Sequence, residues 1–205
     1  SNTFTAGPAI VGTGGSLASG GSHSIQRPDG KFLVVLGNDT ATTSLYDPIS
    51  NTFTAGPAIV GTGGNNAEIG SHSIQRPDGK FLVVLGNNTS NTSIYDPVSN
   101  TFTAGPAIVG TGGSLANFGS HSIQRPDGKF LVVLGKQTAI TSLYDPLNNT
   151  FTAGPAIVGT GGSLANAGSH SIQRPDGKFL VVLGNTTANT SIYDPAWVVS
   201  GTYES

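Results

Sequence analysis

The sequence predicts an all-β fold built from four copies of one four-stranded unit, and three observations predict it. First, the chain repeats itself: Phe4, Phe53, Phe102 and Phe151 are 49 residues apart, and so are His23, His72, His121 and His170. Of the 49 positions in the unit, 38 carry the same residue in all four copies. A fixed period of this length marks a stacked repeat architecture, and near-identity within one chain implies recent duplication or deliberate design. Second, short apolar runs are bounded by Gly, Pro, Asn and Asp, which is the punctuation of strands and turns. Third, no stretch holds a 3.6-residue apolar period and Gly or Pro interrupts every long window, so a helical reading fails. The copies span about 2–50, 51–99, 100–148 and 149–197 of a single domain, followed by a tail at 198–205.

The first copy illustrates each element. His23-Ser24-Ile25-Gln26 reads as a strand running into Arg27-Pro28-Asp29-Gly30, where Pro presets φ and Gly accepts a positive φ, so a tight hairpin turn follows. Lys31 to Gly37 contains the unbroken apolar run Phe-Leu-Val-Val-Leu, the pattern of a strand buried on both faces. Residues 38–42 are polar and loop-like. Thr43 to Asp47 is a third strand ended by Pro48, with Asp47 expected to cap backbone N–H groups of the turn. Asn51 to Ala55 is the fourth, stopped by Gly56-Pro57.

One such sheet cannot cover its own apolar faces. Each copy offers about ten large apolar side chains, each worth roughly 1.5–3 kcal/mol when fully buried. Stacking the copies face to face buries them, as blades around an axis. A β-propeller follows, and a solenoid would want shorter, more uniform coils. The tract GSHSIQRPDGKFLVVLGN, continued by TSLYDPISNTFTAGP, resembles the kelch repeat of bacterial proteins and of galactose-oxidase-like propellers. Two positions depart from that pattern: Leu36-Gly37 stands for Gly-Gly, and Phe4 and its copies stand for the usual Trp. The resemblance implies kelch-like propeller blades, although such propellers usually have five to eight of them.

How the ends are used is a separate question. The chain opens with a fourth strand (Asn2 to Gly7) and its last full copy stops after a third (Thr190 to Asp194). Two arrangements are expected. Thr3-Phe4-Thr5 pairs with Ser191-Ile192-Tyr193 in a hybrid blade that closes the ring, or the strand is exchanged between chains. The tail, with Trp197 and Tyr203, alternates enough to be a strand competing for the same place. Two chains forming an eight-bladed ring is a further possibility. The start at Ser1-Asn2-Thr3, without an initiator Met or an apolar leader, reads as that of a processed, excised or engineered product.

Composition narrows the function. Charged residues make up 10% of the chain and the net charge is −2, so capture of nucleic acid or an anionic membrane is not expected. No apolar run approaches the length of a membrane span. The absence of Cys rules out disulfides, thiolate metal sites, a Cys nucleophile and the crosslinked copper site of galactose oxidase. Glu occurs only at 68 and 204, no Gly-x-Ser-x-Gly elbow is present, and the sialidase Asp box is missing, so catalysis is not expected. No cofactor is expected either. His23, His72, His121 and His170 start the innermost strands and are the weak candidates for a metal or anion, with hydrogen bonding to backbone the simpler role. Arg27 and Asp29 either pair between turns or leave Arg27 to bond carbonyls of the next blade.

The 11 positions that differ between copies fall mostly in two loops expected on one rim, with Leu17, Glu68, Ile69, Phe118 and Ile140 as the distinctive side chains of a candidate binding rim. Asn-x-Ser/Thr sequons at Asn38, Asn87, Asn88, Asn91, Asn185 and Asn189, with Asn148 elsewhere, suit a glycosylated secreted protein. The expectation is a non-enzymatic extracellular or cell-surface scaffold, partnered by itself, another surface protein or a glycan. The alternatives are a glycan-binding rim and a designed symmetric propeller without a natural ligand.

Overall fold

The computed structural model describes residues 3–12, 15, 17–61, 63–64, 66–113, 115–184 and 186–195. These form fifteen strands in four antiparallel sheets. The first sheet holds β1 (His23–Gln26), β2 (Phe32–Val35), β3 (Thr43–Asp47) and β4 (Thr52–Ala55) in chain order. The second holds β5 (His72–Gln75), β6 (Phe81–Val84), β7 (Thr92–Asp96) and β8 (Thr101–Ala104). β9 (His121–Gln124), β10 (Phe130–Val133), β11 (Thr141–Asp145) and β12 (Thr150–Ala153) form the third. β13 (His170–Gln173), β14 (Phe179–Val182) and β15 (Thr190–Tyr193) form the fourth, which has three strands among the described residues.

Local chemistry sets each hairpin. Gly30 takes φ +81° in the first turn, and Asp29 accepts the Lys31 N–H at 3.1 Å. Asp47 accepts the N–H groups of Ile49 and Ser50 at 2.9 and 3.3 Å, the capping role expected of it. Asn51, Asn100 and Asn149 then adopt φ of 53–55°, a left-handed conformation that Asn tolerates.

Each sheet has two apolar faces of different character. The front face of the first sheet carries Ile25, Leu33, Val35 and Leu45, and it packs on the back face of the second, made of Phe81, Val83, Tyr95 and Phe102. The same meeting recurs between the second and third sheets, and between the third and fourth. Ile59, Ile108 and Ile157, from the segments that cross between sheets, are buried in the three seams. The sheets are therefore stacked as blades. Their innermost strands run side by side, β1 against β5, β5 against β9 and β9 against β13.

The array is open. Among the described residues β13 makes no contact with β1. Residues 3–7 form no strand, Phe4 is 105% exposed, and Thr3-Phe4-Thr5 is not paired with Ser191-Ile192-Tyr193. The hybrid blade expected from the chain order is thus absent from the single chain. A strand needs a partner edge, and the edge of β15 is at the other end of the array. Trp197 and Tyr203 lie outside the described residues. β2 and β14 record the openness directly. In the middle blades β6 and β10 are buried at every position, whereas β2 alternates with Phe32 and Val34 partly open, and β14 alternates in the opposite phase with Leu180 and Val182 partly open.

Candidate functional site

The most elaborate polar arrangement in the molecule lies across the blade junctions. Arg27 donates from Nε and Nη2 to both carboxylate oxygens of Asp29, at 3.2 and 3.1 Å, which fixes its guanidinium as a fork. The remaining nitrogen, Nη1, reaches the next blade and donates to the Tyr95 hydroxyl and to Asn100 Oδ1. Arg76 repeats this with Tyr144 and Asn149, at 2.8 and 2.6 Å. Both tyrosines complete a triangle by donating to the same Asn, Tyr95 to Asn100 at 2.8 Å and Tyr144 to Asn149 at 2.9 Å. Burial pushes the Tyr144 phenol up to about 12, so it remains a donor at any ordinary pH. Arg125 also bonds Tyr193, but Val198 stands where the Asn of the other two junctions would be.

Neither reading of Arg27 holds as stated. It pairs within its own turn and reaches the adjacent blade, but the acceptors there are a phenol and a side-chain amide rather than backbone carbonyls. Tyr46, Tyr95, Tyr144 and the turn asparagines were not singled out from the sequence for this role, and Tyr193 was named only for closure of the ring. The signal was present: each Asn stands five residues after its Tyr in a fixed Tyr-Asp-Pro frame.

The Arg–Tyr bond is used three times. Among the described residues no blade follows Arg174, and its side chain is 43% exposed against 10% for Arg27 and Arg76 and 18% for Arg125. Among them none precedes Tyr46 either; its hydroxyl donates to Asn51 at 2.9 Å, and both residues are open to solvent to some degree.

The histidines do not converge. In His23, His72, His121 and His170 Nδ1 donates to the carbonyl of the Gly two residues earlier, at 2.9–3.1 Å, so the neutral ring presents a bare Nε2. Burial lowers the pKa of His23 and His121, and it takes His72 down to about 4. No three His, Asp or Glu side chains among the described residues are grouped to hold a metal ion.

The variable loops do share one end of the sheets. Thr40 bridges to Ala67, Thr89 to Ala116 and Thr138 to Ala165, tying each β2–β3-type loop to the connection that leads into the next blade. On that rim Leu17 and Phe118 are exposed, at 73% and 44%. Glu68 and Ile69 pack on the preceding blade, where a Cβ on Gly20 would lie 2.5 Å from the Ile69 side chain. Ile140 is half-buried against the second seam. The cleft beside Ile140, lined also by Leu115 and Lys136, holds about 140 Å³. Asn38, Asn88 and Asn148 are exposed, and Asn87 donates to the Asp39 carboxylate across the rim.

No protein-family model and no curated protein sequence matches the chain. Solved structures do. The chain is similar to the extracellular domain of a hybrid two-component system from B. thetaiotaomicron, with a TM-score of 0.53 and 14% identity over 78% of this chain and 21% of that one. It is similar to a fungal alcohol oxidase of the AA5 family in complex with copper, with a TM-score of 0.53 and 22% identity over 80% of this chain and 37% of that one. Hydrazine synthase of Kuenenia stuttgartiensis gives a TM-score of 0.51 and 15% identity, over 77% of this chain and 42% of that one. The chain thus spans less than half the length of each of these structures. At such identities the likeness is one of fold: a repeated all-β array of antiparallel blades.

Proposed function

We propose that this chain is a non-enzymatic, extracellular structural scaffold, a kelch-like run of propeller blades made to be joined at its ends. One observation carries the reading. The same seam of front face and back face with an Arg–Tyr bond across it is built three times, twice with an Asn completing the latch, and among the described residues its two halves stand open at the first and fourth blades. Conserving the packing residues of every copy while letting loop residues vary fits a part selected for stacking. The kelch-like motifs, the polar uncharged surface and the fold shared with an extracellular domain support the placement outside the cell. Among the described residues no helix is long and apolar enough to cross a membrane. A glycan-binding rim fits less well, because the rim cleft of about 140 Å³ is smaller than the 300 Å³ or more of ordinary small-molecule sites. Light scattering after size exclusion tests the proposal: mass should rise above the 20.7 kDa of one chain as concentration rises. A strict monomer throughout would remove it.

A further inference from the structure

The two open ends are halves of one interface. We infer that the partner of this array is a second copy of the same chain, docked head to tail through a composite contact that repeats the internal seam. This rests on the scaffold reading above and names its partner. Three parts of the contact are on the surface.

The first part is apolar. On the front face of the fourth blade Ile172 is 50% exposed, while its counterparts Ile25, Ile74 and Ile123 are each 2% exposed. Ile192, Leu180 and Val182 are open beside it. The matching surface is the back of the first blade, where Phe32, Val34, Tyr46 and Phe53 are partly exposed although Phe81, Val83, Tyr95 and Phe102 are at most 8% exposed. Continuity with a seam already made three times is what selects the occupant.

The second part is the latch. Arg174 pairs with Asp176 at 3.0 Å through Nη2, as Arg27 does with Asp29, and stands exposed on the last blade without the Tyr that its three counterparts bond. Tyr46 and Asn51 are already joined to each other in the geometry that receives an Arg elsewhere. Docking supplies Arg174 to Tyr46 and Asn51 of the second copy.

The third part is a strand. Every connection between blades lays a Val carbonyl against the following blade, Val60 accepting from Ser93 Oγ at 2.6 Å and Val109 from Ser142 Oγ at 2.5 Å. Val11 accepts from Ser44 Oγ at 2.6 Å in the same manner. The chain before the first blade therefore follows the internal route, which leaves Thr3 to Ala6 where the fourth strand of a preceding blade belongs. On β15, a cleft of about 270 Å³ lined by Leu131, Val133, Val181, Ile192 and Tyr193 lies at the corresponding place. In the earlier seams Phe102 and Phe151 sit there, Phe151 stacking on Tyr144 at 4.9 Å. The internal register of Tyr144 with Phe151 and Leu143 with Thr152 then sets Tyr193 against Phe4, and Ile192 against Thr5, of the second copy. Face, latch and strand are satisfied by one placement.

The test uses the full chain, whose lack of Cys makes introduced thiols unique. Pro175→Cys and Ser50→Cys chains, mixed and treated with a short bismaleimide, should give an adduct of twice the chain mass, and neither variant alone should. Arg174→Ala and Phe4→Ser should each weaken self-association by about tenfold or more, and Arg174→Lys should fail to restore it, since a point charge cannot serve the fork and both acceptors. Thermal midpoints of the variants, measured where the chain is monomeric, check that they fold. A monomer at every concentration would remove the scaffold reading itself. Undiminished assembly in Arg174→Ala and Phe4→Ser would leave that reading standing and overturn this interface. Crosslinking within one chain carrying both Cys would mean that the ends close on each other and overturn the second copy. Loss of assembly on deleting residues 196–205, with Phe4→Ser unaffected, would make the tail the donated strand and likewise overturn the placement.

Discussion

Tyr95 and Tyr144 are wholly buried, while Tyr46, set among the same sequence neighbours, is not. The difference lies in what arrives from outside the blade, a front face and an arginine. Tyr144→Phe leaves Arg76 Nη1 short of an acceptor and Asn149 short of a donor, in a place water reaches poorly. We expect it to cost about 1–2 kcal/mol, read as a lowered urea midpoint. Tyr46→Phe should cost close to nothing in the monomer, because no arginine is waiting for its hydroxyl. Equal losses at both positions would mean that the latch contributes nothing to the stacking. The sequence placed Arg27 on the right turn but left its partner open, because the acceptors lie 68 and 73 residues further on. Only the angle between blades decides whether a guanidinium meets a backbone carbonyl or a phenol.

Individual strands were the most readable part of the molecule. β1 and β3 fall where alternation and turn residues put them, and β2 is shorter at both ends than the expected Lys31 to Gly37 segment because Lys31 and Leu36 already bond within the adjoining turns. Reading that run as buried on both faces is right for β6 and β10, which have a blade on each side, and wrong by one face for β2 and β14. Local sequence cannot say whether a copy is terminal in space. Substitution should report the same distinction. Leu82→Ala, at a fully buried position facing the third blade, should cost about 3 kcal/mol. Leu180→Ala, on the open front of the fourth, should cost about 1 kcal/mol. Matching losses in urea unfolding would show that the fourth front face is covered after all. The N-terminal segment is a related case. Thr3 to Thr5 has strand-forming residues but pairs with no edge among the described residues of its own chain.

Across the whole molecule, the innermost strands carry a row of imidazoles. His72 feels both His23 and His121, and burial is the main cause of its lowered pKa. A folded pKa of about 4 against 6.5 unfolded means that the unfolded chain binds the extra proton. Stability is then complete above about pH 6.5 and falls as pH drops toward 4, by roughly 3 kcal/mol for His72 alone. Thermal melts from pH 7.5 to 4.5 should follow that slope, and His72→Asn, whose amide N–H replaces Nδ1–H, should flatten much of it. A profile level down to pH 4.5 would contradict the burial. The sequence located this row correctly and gave it the backbone bond it has, since repetition alone fixes symmetric placement. Repetition could not reveal that the ring stays open, because closure depends on the rotation between blades, which no residue type encodes.

The three seams have a consequence for the gene as well as for the fold. Since the junctions repeat the same packing positions, the third lacking only the Phe and Asn of a fourth strand, removing or inserting one 49-residue period in register among the first three blades creates no new kind of contact. The first and last surfaces stay the same whatever the number of periods between them. Length is therefore a quantity that recombination between copies can tune freely, while the ends keep their shape.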